Sequence, residues 1–372
     1  MRRFAFFGNS LWKNYSGMEN QGHKANQRYL KSPSENGEFR EISSVSQIPP
    51  TPPFSKGGIK DSFIQANRLF FVSLLILVIS LVCSGSAWSA GPFNFRPPAS
   101  NRGVDPQALT VVGAPQHHVT RKGEDLLDVA RRYDLGWTEI GAMYRGWDPF
   151  LPPPGVNMLI PTMWIVPTGH SAPIVVNTGE MRLYYFINNG TQVITYPIGM
   201  GVLDYITPTG NFYVNQKIVN PAWHIPKHLQ AKYGMAVMPA GPDNPMGAFK
   251  LGLNWGDYGI HGCNLPWAVG RLVSHGCTRL YPEDIKRLYP MVPMGTKVEY
   301  IYEPAKIGFR RGRIFLSVHD DVYFKIPSMT LHVLKMLEQR GLADQVDTSK
   351  VLQTVEEQTG MPVDITKRGG GG

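Results

Sequence analysis

Short runs rich in apolar β-branched and aromatic residues, bounded by turn residues, lie in the middle of the chain, a pattern that indicates β-strands. They predict strands at residues 174–177, 181–187, 191–198, 210–219 and 298–302. Asn188-Asn189-Gly190, between the second and third of these strands, is typical of a hairpin turn. One helix is predicted at residues 282–289, with a proline in its first turn. Residues 172–303 are therefore predicted to form a mainly β domain, a sandwich or barrel that carries one helix.

A shorter segment before this domain shows helical spacing instead. The first predicted helix opens at Glu124-Asp125 and has apolar residues at helical intervals, namely Leu126, Leu127, Val129, Ala130 and Tyr133. A second helix is predicted at residues 137–143, and short strands are predicted at 118–120 and 158–161. Residues 116–168 are thus predicted to form a separate small module in the order βααβ.

The first part of the chain has a different pattern. Residues 1–67 are rich in Ser, Asn, Gly and Pro and cannot bury a core, so we interpret them as a disordered leader or a mis-called start. Residues 68–90 begin with a basic residue, continue through an apolar stretch and end in small residues, which is typical of a secretory signal. The apolar stretch would span about 21 Å as a helix, short of a ~30 Å hydrocarbon core, and an uncleaved anchor is the alternative. Residues 91–115 are interpreted as a linker.

The last part of the chain, residues 304–372, is predicted to be a partly helical extension. A Pro-Ser pair precedes a predicted helix at 329–340, and a second helix is predicted at 349–357. The four glycines at 369–372 indicate a flexible end.

The composition is that of a globular protein. Of the 372 residues, 42% are hydrophobic and only 17% are charged, a composition that excludes disorder of the whole chain. Three cysteines are too few for a scaffold held by disulfides. The net charge is +9, but ten basic and five acidic residues lie within the first ninety positions. The remaining excess is too small to indicate nucleic-acid binding.

The candidate chemistry lies in a triplet that occurs twice, His-Gly-Cys at 261–263 and again at 275–277. A cysteine attacks an acyl carbon as the thiolate, so it needs an imidazole to take its proton. It also needs backbone N–H groups aimed at the developing oxyanion. Gly276 lets the backbone approach a substrate closely, and Arg279 is placed to favour a thiolate or to hold a carboxylate.

Metal binding is the alternative chemistry for the same triplets. His261, Cys263, His275 and Cys277 offer a Cys₂His₂ set, and residues two apart on a strand share a face. The spacing argues against zinc, because zinc sites favour wider intervals between paired ligands.

The wider sequence resembles a known family. His261-Gly262, followed by Ser274-His275-Gly276-Cys277-Thr278-Arg279, is very similar to the signature of the L,D-transpeptidase (YkuD-like) catalytic domain. Residues 175–186, 197–201, 207–210 and 239–247 resemble the branch that contains the ErfK-type enzymes. The resemblance covers about residues 116–303, and it implies a YkuD-like β-sandwich or barrel.

The resemblance also implies roles for individual residues. Cys277 is then the nucleophile, and His261 the base and acid that carries its proton. Gly262 orients the imidazole through its carbonyl, and the N–H groups around His275, Gly276 and Cys277 form the oxyanion hole. The remaining groups implied to support the site are Ser274, His275 and Arg279. Alternation along an extended backbone gives His275 a structural role rather than that of the base.

Four further positions carry open alternatives. Cys263 departs from the ErfK-type pattern, which usually has threonine there, so it is interpreted as a buried small residue or as a disulfide partner for Cys277. Asn244, Met246 and Gly247 are predicted either to line the substrate groove or to form a rigid turn.

The family resemblance implies an exported enzyme of the periplasm or cell envelope that acts on peptidoglycan. The thiolate would attack the carbonyl of diaminopimelate, release the terminal D-alanine and pass the acyl group to a stem peptide, a lipoprotein, a D-amino acid or water. No metal and no organic cofactor is required. Residues 116–168 resemble the LysM family, which implies binding to glycan strands; a wall-binding protein without catalysis is the non-enzymatic alternative. Contact with the membrane is expected only through an uncleaved signal.

Overall fold

The computed structural model describes residues 91–367. The predicted leader, the signal segment and the glycine end lie outside these residues. In chain order, the strands of the described residues are β1 (Phe93–Asn94), β2 (Val111–Gly113), β3 (Gln116–Val119), β4 (Asn157–Ile160), β5 (Met163–Ile165), β6 (Ile174–Asn177), β7 (Arg182–Ile187), β8 (Gln192–Pro197), β9 (Met200–Gly201), β10 (Gly210–Val219), β11 (Trp223–His224), β12 (Val237–Met238), β13 (Phe249–Leu253), β14 (Gly259–His261), β15 (Leu272–Ser274), β16 (Thr278–Arg279), β17 (Lys297–Ile301), β18 (Ala305–Arg310), β19 (Arg313–Val318) and β20 (Val363–Asp364).

The helices begin where capping residues place them. Asp125 accepts a hydrogen bond from the amide of Asp128, and Ser328 accepts one from the amide of Leu331. The helices are α1 (Leu126–Arg132), α2 (Trp137–Met143), α3 (Lys227–Tyr233), α4 (Pro282–Met291), α5 (Met329–Gln339) and α6 (Thr348–Glu357). Short 3₁₀ turns lie at Leu203–Tyr205, Pro266–Ala268 and Ala343–Gln345.

The centre of the fold is a nine-stranded sheet in the order β1-β8-β7-β6-β17-β10-β13-β14-β16. Most neighbours are antiparallel, but β6 pairs with β17 and β14 pairs with β16 in parallel. One face packs on α4 through a core that includes Leu251, Ile260, Ile285 and Leu288. The mainly β class is confirmed, as a curled mixed sheet.

Strand β7 shows why both faces of the sheet are covered. Its alternating side chains divide between two cores, with Leu183 in the core under α4 and Tyr184 in the core of the preceding module. Arg182 of β7 is fully buried and binds Glu139 of α2 at 2.7 Å. The module is therefore packed against the sheet by both apolar burial and a buried ion pair.

The predicted βααβ order is present, since β3 and β4 pair antiparallel on either side of α1 and α2. Residues 91–115, which were predicted to be a linker, contain two short strands instead. β1 adds to the large sheet beside β8, and β2 pairs with β5. Two- and three-residue strands carry too little periodicity to be recognised in a sequence.

The extension after residue 303 contains the two predicted helices and a sheet that was not predicted. Strands β18, β19 and β20 form this sheet, and α5 and α6 pack on it through Val333, Leu337 and Val351. Lys306 of β18 is buried and binds Glu180 at 2.6 Å, which ties the extension to the loop between β6 and β7 of the large sheet. Within residues 91–367, no helix has the length and apolar character that a membrane crossing requires.

Candidate active site

Parallel pairing of β14 with β16 brings the two His-Gly-Cys segments together. Ile260 lies opposite Thr278, and His261 lies opposite Arg279. Cys277 comes one residue before β16, so it is level with Gly259 on the neighbouring strand, about 4.8 Å away. Alternation places Cys277 and His261 on one face of the sheet, because Ile260 and Thr278 point to the other.

The imidazole of His261 is held in one orientation. Its Nδ1 lies 2.7 Å from the carbonyl oxygen of Gly262. A carbonyl only accepts, so Nδ1 carries the proton and Nε2 is left with a free lone pair. This arrangement gives His261 the tautomer that a proton acceptor needs.

The charge state of His261 is set by its surroundings. Only 2% of the side chain is exposed. Burial, with further contributions from the cations Arg279 and Lys250, lowers the pKa of His261 to about 3. The ring is therefore neutral at physiological pH and able to take a proton.

The thiol of Cys277 is half-buried at the edge of the sheet. Its Sγ lies 3.7 Å from the carbonyl oxygen of Asp257. Burial raises the pKa of the thiol, and the charge of Lys250 is the strongest of the influences that lower it. At rest, the thiol of Cys277 and the imidazole of His261 are therefore both neutral.

The loop that carries Cys277 is fixed by short hydrogen bonds. Ser274 Oγ donates to the Cys277 carbonyl at 2.6 Å and accepts from the Gly276 amide at 3.1 Å. Gly276 has φ +106, and a Cβ there would overlap the ring of Tyr258. The Gly276 amide, one of the predicted oxyanion donors, is therefore engaged with Ser274 in this conformation.

His275 lies apart from the buried imidazole. Its side chain is exposed and its ring contacts Tyr205 at 4.7 Å and His228 at 5.5 Å, measured between ring centroids. Partial burial, together with the charges of His228, Arg279 and Lys232, lowers its pKa. The residue thus belongs to an aromatic cluster with α3 rather than to the interior.

The segment 244–247 forms a turn behind His261. Asn244 is buried, and its amide donates to the carbonyls of Pro221 and Pro239 at 3.0 Å each. Gly247 has φ +64, and a Cβ there would lie 2.9 Å from the backbone of Gly262. Met246 is buried, and its backbone hydrogen bond to His261 favours the protonated ring. This geometry favours the rigid turn, and direct contact of these side chains with substrate stays a prediction.

Cys263 has a different environment from Cys277. It is 3% exposed and packs with Val269 and Tyr281. Burial raises the pKa of its thiol to about 11. Both thiols are free in the structure. Among the described residues, no three His, Cys, Asp or Glu side chains are grouped so that they could share a metal ion, so the four residues of the zinc alternative do not converge.

Three residues that support the site were given no role from the sequence, although one of them, Thr207, lies in the segment 207–210 that resembles the family. Lys250 of β13 lies directly opposite His261; its signal was a lysine inside the otherwise uncharged run Phe249–Leu253. Thr207 Oγ1 donates to the Gly276 carbonyl at 3.0 Å. Tyr323, far along the chain, accepts from the Thr207 amide at 3.3 Å, and no sequence signal joins these positions.

Comparison with known proteins identifies the class. Residues 171–299 match the YkuD model, which describes the L,D-transpeptidase catalytic domain. The chain is 32% identical over 314 residues to the probable L,D-transpeptidase YcfS of Escherichia coli, covering 80% of this chain and 94% of that protein. It is 34% identical over 284 residues to the probable L,D-transpeptidase ErfK/SrfK of Salmonella typhimurium, covering 73% and 90%.

A third relative agrees with the first two. The probable L,D-transpeptidase YbiS of Escherichia coli is 36% identical over 249 residues, which are 63% of this chain and 81% of that protein. The chain therefore belongs to the L,D-transpeptidase family with a YkuD catalytic domain, and it is an enzyme of that class. The family predicted from the sequence is confirmed.

Proposed function

We propose that the protein is an exported peptidoglycan L,D-transpeptidase in which Cys277 is the nucleophile and His261 is its proton acceptor. The observation that carries this proposal is the parallel register of β14 and β16. This register puts a neutral, oriented imidazole and a half-buried thiol on one face of the sheet. A donor stem ending in diaminopimelate–D-alanine is the substrate.

The first half-reaction forms an acyl-enzyme. Nε2 of His261 takes the proton from Cys277 Sγ, and the thiolate attacks the carbonyl carbon of diaminopimelate. Collapse of the tetrahedral intermediate breaks the bond to D-alanine, whose nitrogen receives the proton from His261. Because His261 lies next to Lys250 and Arg279, its protonated form is unfavourable, and the proton passes readily to the leaving amine.

The second half-reaction transfers the acyl group. A stem-peptide amine attacks the thioester, loses its proton to Nε2 of His261, and releases Cys277 as a 3→3 cross-link forms. A lipoprotein lysine is an alternative amine acceptor, and water in the same position gives a carboxypeptidase. Product analysis with purified muropeptides separates these acceptors.

The module at residues 116–168 is proposed to hold the glycan strand while the catalytic domain acts on the stem. What supports this is the βααβ order and its resemblance to LysM. Its packing through Arg182 and Glu139 fixes it to the sheet, so a bound strand would have a defined position relative to Cys277. A variant of the module that no longer binds glycan strands but still forms the acyl-enzyme would separate the two roles.

The nucleophile is tested with a carbapenem, an acylating agent that forms a stable thioester with such a cysteine. Intact mass of the wild-type protein should increase by one inhibitor molecule, and Cys277→Ala should show no increase. Cys263→Ala is the matched control and should form the adduct. An adduct that survives in Cys277→Ala would overturn the proposal.

A further inference from the structure

Lys250 extends across the sheet toward Cys277. It lies opposite His261 in the β13–β14 pair, so the two side chains share a face. Its Nζ donates to the carbonyl oxygen of Asp257 at 3.4 Å. The same oxygen lies 3.7 Å from Cys277 Sγ, so the ammonium group and the thiol are both close to one carbonyl oxygen.

The path of this side chain depends on Gly259. A Cβ at Gly259 would lie 3.0 Å from Cε of Lys250, which is tighter than ordinary contact. Gly259 is also the residue level with Cys277 on the neighbouring strand. A larger residue at 259 would displace the lysine from the side of the sheet on which the thiol lies.

The charges around Cys277 come from four elements. Lys250 of β13 and Arg279 of β16 favour the thiolate, and the Asp257 carboxylate in the loop before β14 opposes it. His261 of β14 is neutral at rest because its pKa is lowered to about 3. A resting imidazolium is therefore not the group that stabilises the thiolate, and Lys250 is the stronger of the two cations in favouring it.

We infer that Lys250 is a positioning residue whose ammonium stabilises the Cys277 thiolate while His261 carries the proton. The inference rests on the proposed role of Cys277 as the nucleophile. Lys250 exchanges no proton in this step: the S–H bond breaks, the proton goes to Nε2 of His261, and the electron pair stays on sulfur next to the fixed positive charge.

The test is the pH dependence of Cys277 alkylation by iodoacetamide in the full-length protein. Peptide mass mapping separates Cys277 from Cys263. Lys250→Met and Lys250→Gln should move the midpoint for Cys277 upward by about one pH unit, equivalent to roughly tenfold slower alkylation below the midpoint. Lys250→Arg should restore the wild-type midpoint within a few tenths of a unit.

The matched control is Lys286→Met, which removes the same charge from an exposed position of α4 and should leave the midpoint unchanged. Above the midpoint, Lys250→Met should alkylate at the wild-type rate, whereas a loss of packing would slow it at every pH. An unchanged midpoint in both Lys250→Met and Lys250→Gln would overturn the inference, as would slowing that is independent of pH.

The two proposals fail in different ways. If the wild-type protein forms no carbapenem adduct at Cys277, the proposed function fails whatever the alkylation profile is. If the adduct forms while the midpoint does not depend on Lys250, only the role of Lys250 fails. A higher KM with an unchanged alkylation midpoint would instead assign Lys250 to substrate binding, and would also overturn the inference.

Discussion

The two His-Gly-Cys segments have the same three residues and opposite environments. In the first, His261 is a buried strand residue and Cys263 follows the strand into an apolar cluster. In the second, His275 is exposed and Cys277 precedes a strand at the edge of the sheet. The site draws its histidine from one segment and its cysteine from the other.

The difference shows that the position relative to a strand, and not the local sequence, decides which histidine and which cysteine belong to the site. β14 ends at His261 whereas β16 begins at Thr278, so the triplets are displaced along two parallel neighbours. That displacement brings the histidine of one triplet and the cysteine of the other to the same face. Within the first triplet, burial lowers the pKa of His261 to about 3 and raises the pKa of the Cys263 thiol to about 11, so this triplet holds a neutral imidazole and an unreactive thiol.

The largest effect that should distinguish the two histidines is on acyl-enzyme formation. His261→Gln should lower its rate by about 10²–10⁴, the range for loss of a general base. His275→Gln, the matched control, should lower it by less than about tenfold because its ring contacts Tyr205 and His228 at the surface. Stopped-flow measurement of carbapenem acylation gives both rates; equal losses would contradict the assignment.

The pH profile sharpens the same comparison. A base with a lowered pKa becomes protonated only at more acidic pH, so His261 should stay competent down to about pH 3. The acid limb of kcat/KM should therefore lack a step near the ordinary histidine pKa of about 6.5. A step near pH 6.5 that disappears in His261→Gln but persists in His275→Gln would contradict the lowered pKa of His261.

A smaller effect is expected from the loop that carries Cys277. Ser274→Ala removes the hydrogen bonds to the Cys277 carbonyl and from the Gly276 amide. We expect acylation to slow by about tenfold, with a loss of about 1–2 kcal/mol in the free energy of unfolding. Ser317→Ala removes a buried hydroxyl of β19 that has no hydrogen-bond partner among the described residues, so this control should lower neither the free energy of unfolding nor the rate of acylation. No change in acylation for Ser274→Ala would separate this serine from the site.

A substitution in the C-terminal extension should have a smaller effect on acylation than Ser274→Ala. Tyr323 OH donates to the Gly201 carbonyl at 2.7 Å and lies behind the Thr207 contact to Gly276. Tyr323→Phe should cost about 1 kcal/mol in stability and slow acylation by a few-fold. Tyr213→Phe, on an exposed ring, should do neither. Chemical denaturation and acylation rates measured together check both values.

Much of the fold could be predicted from the sequence where the signal is local. Runs rich in β-branched and aromatic residues identified β6, β10 and β17 to within a residue, and the second helix of the small module, α2, was predicted with its observed bounds. The order of the nine strands could not be predicted, because strand pairing is a long-range contact that leaves no local trace, and three of the strands, β1, β14 and β16, have only two or three residues. The two helices of the extension were predicted, but its sheet was missed although β18 and β19 have six residues each and are joined by the short turn Arg311-Gly312, so a local signal was present.

The candidate site divides in a similar way. The residues with reactive side chains, Cys277 and His261, could be selected from the sequence because their chemistry is limited to a few residue types. Lys250 and Tyr323 could not, because their relation to the site depends on β13 lying next to β14 and on the extension folding back. Long-range packing, rather than the local sequence pattern, decides which residues outside the two triplets support the chemistry.

The most direct test of the central claim is the intact mass of two variants after treatment with a carbapenem. Cys263→Ala should gain the mass of one inhibitor molecule, as the wild-type protein does, and Cys277→Ala should gain none. Both variants must remain folded by circular dichroism for the comparison to hold. An adduct on Cys277→Ala, or its loss in Cys263→Ala, would contradict the assignment of the nucleophile to the second triplet.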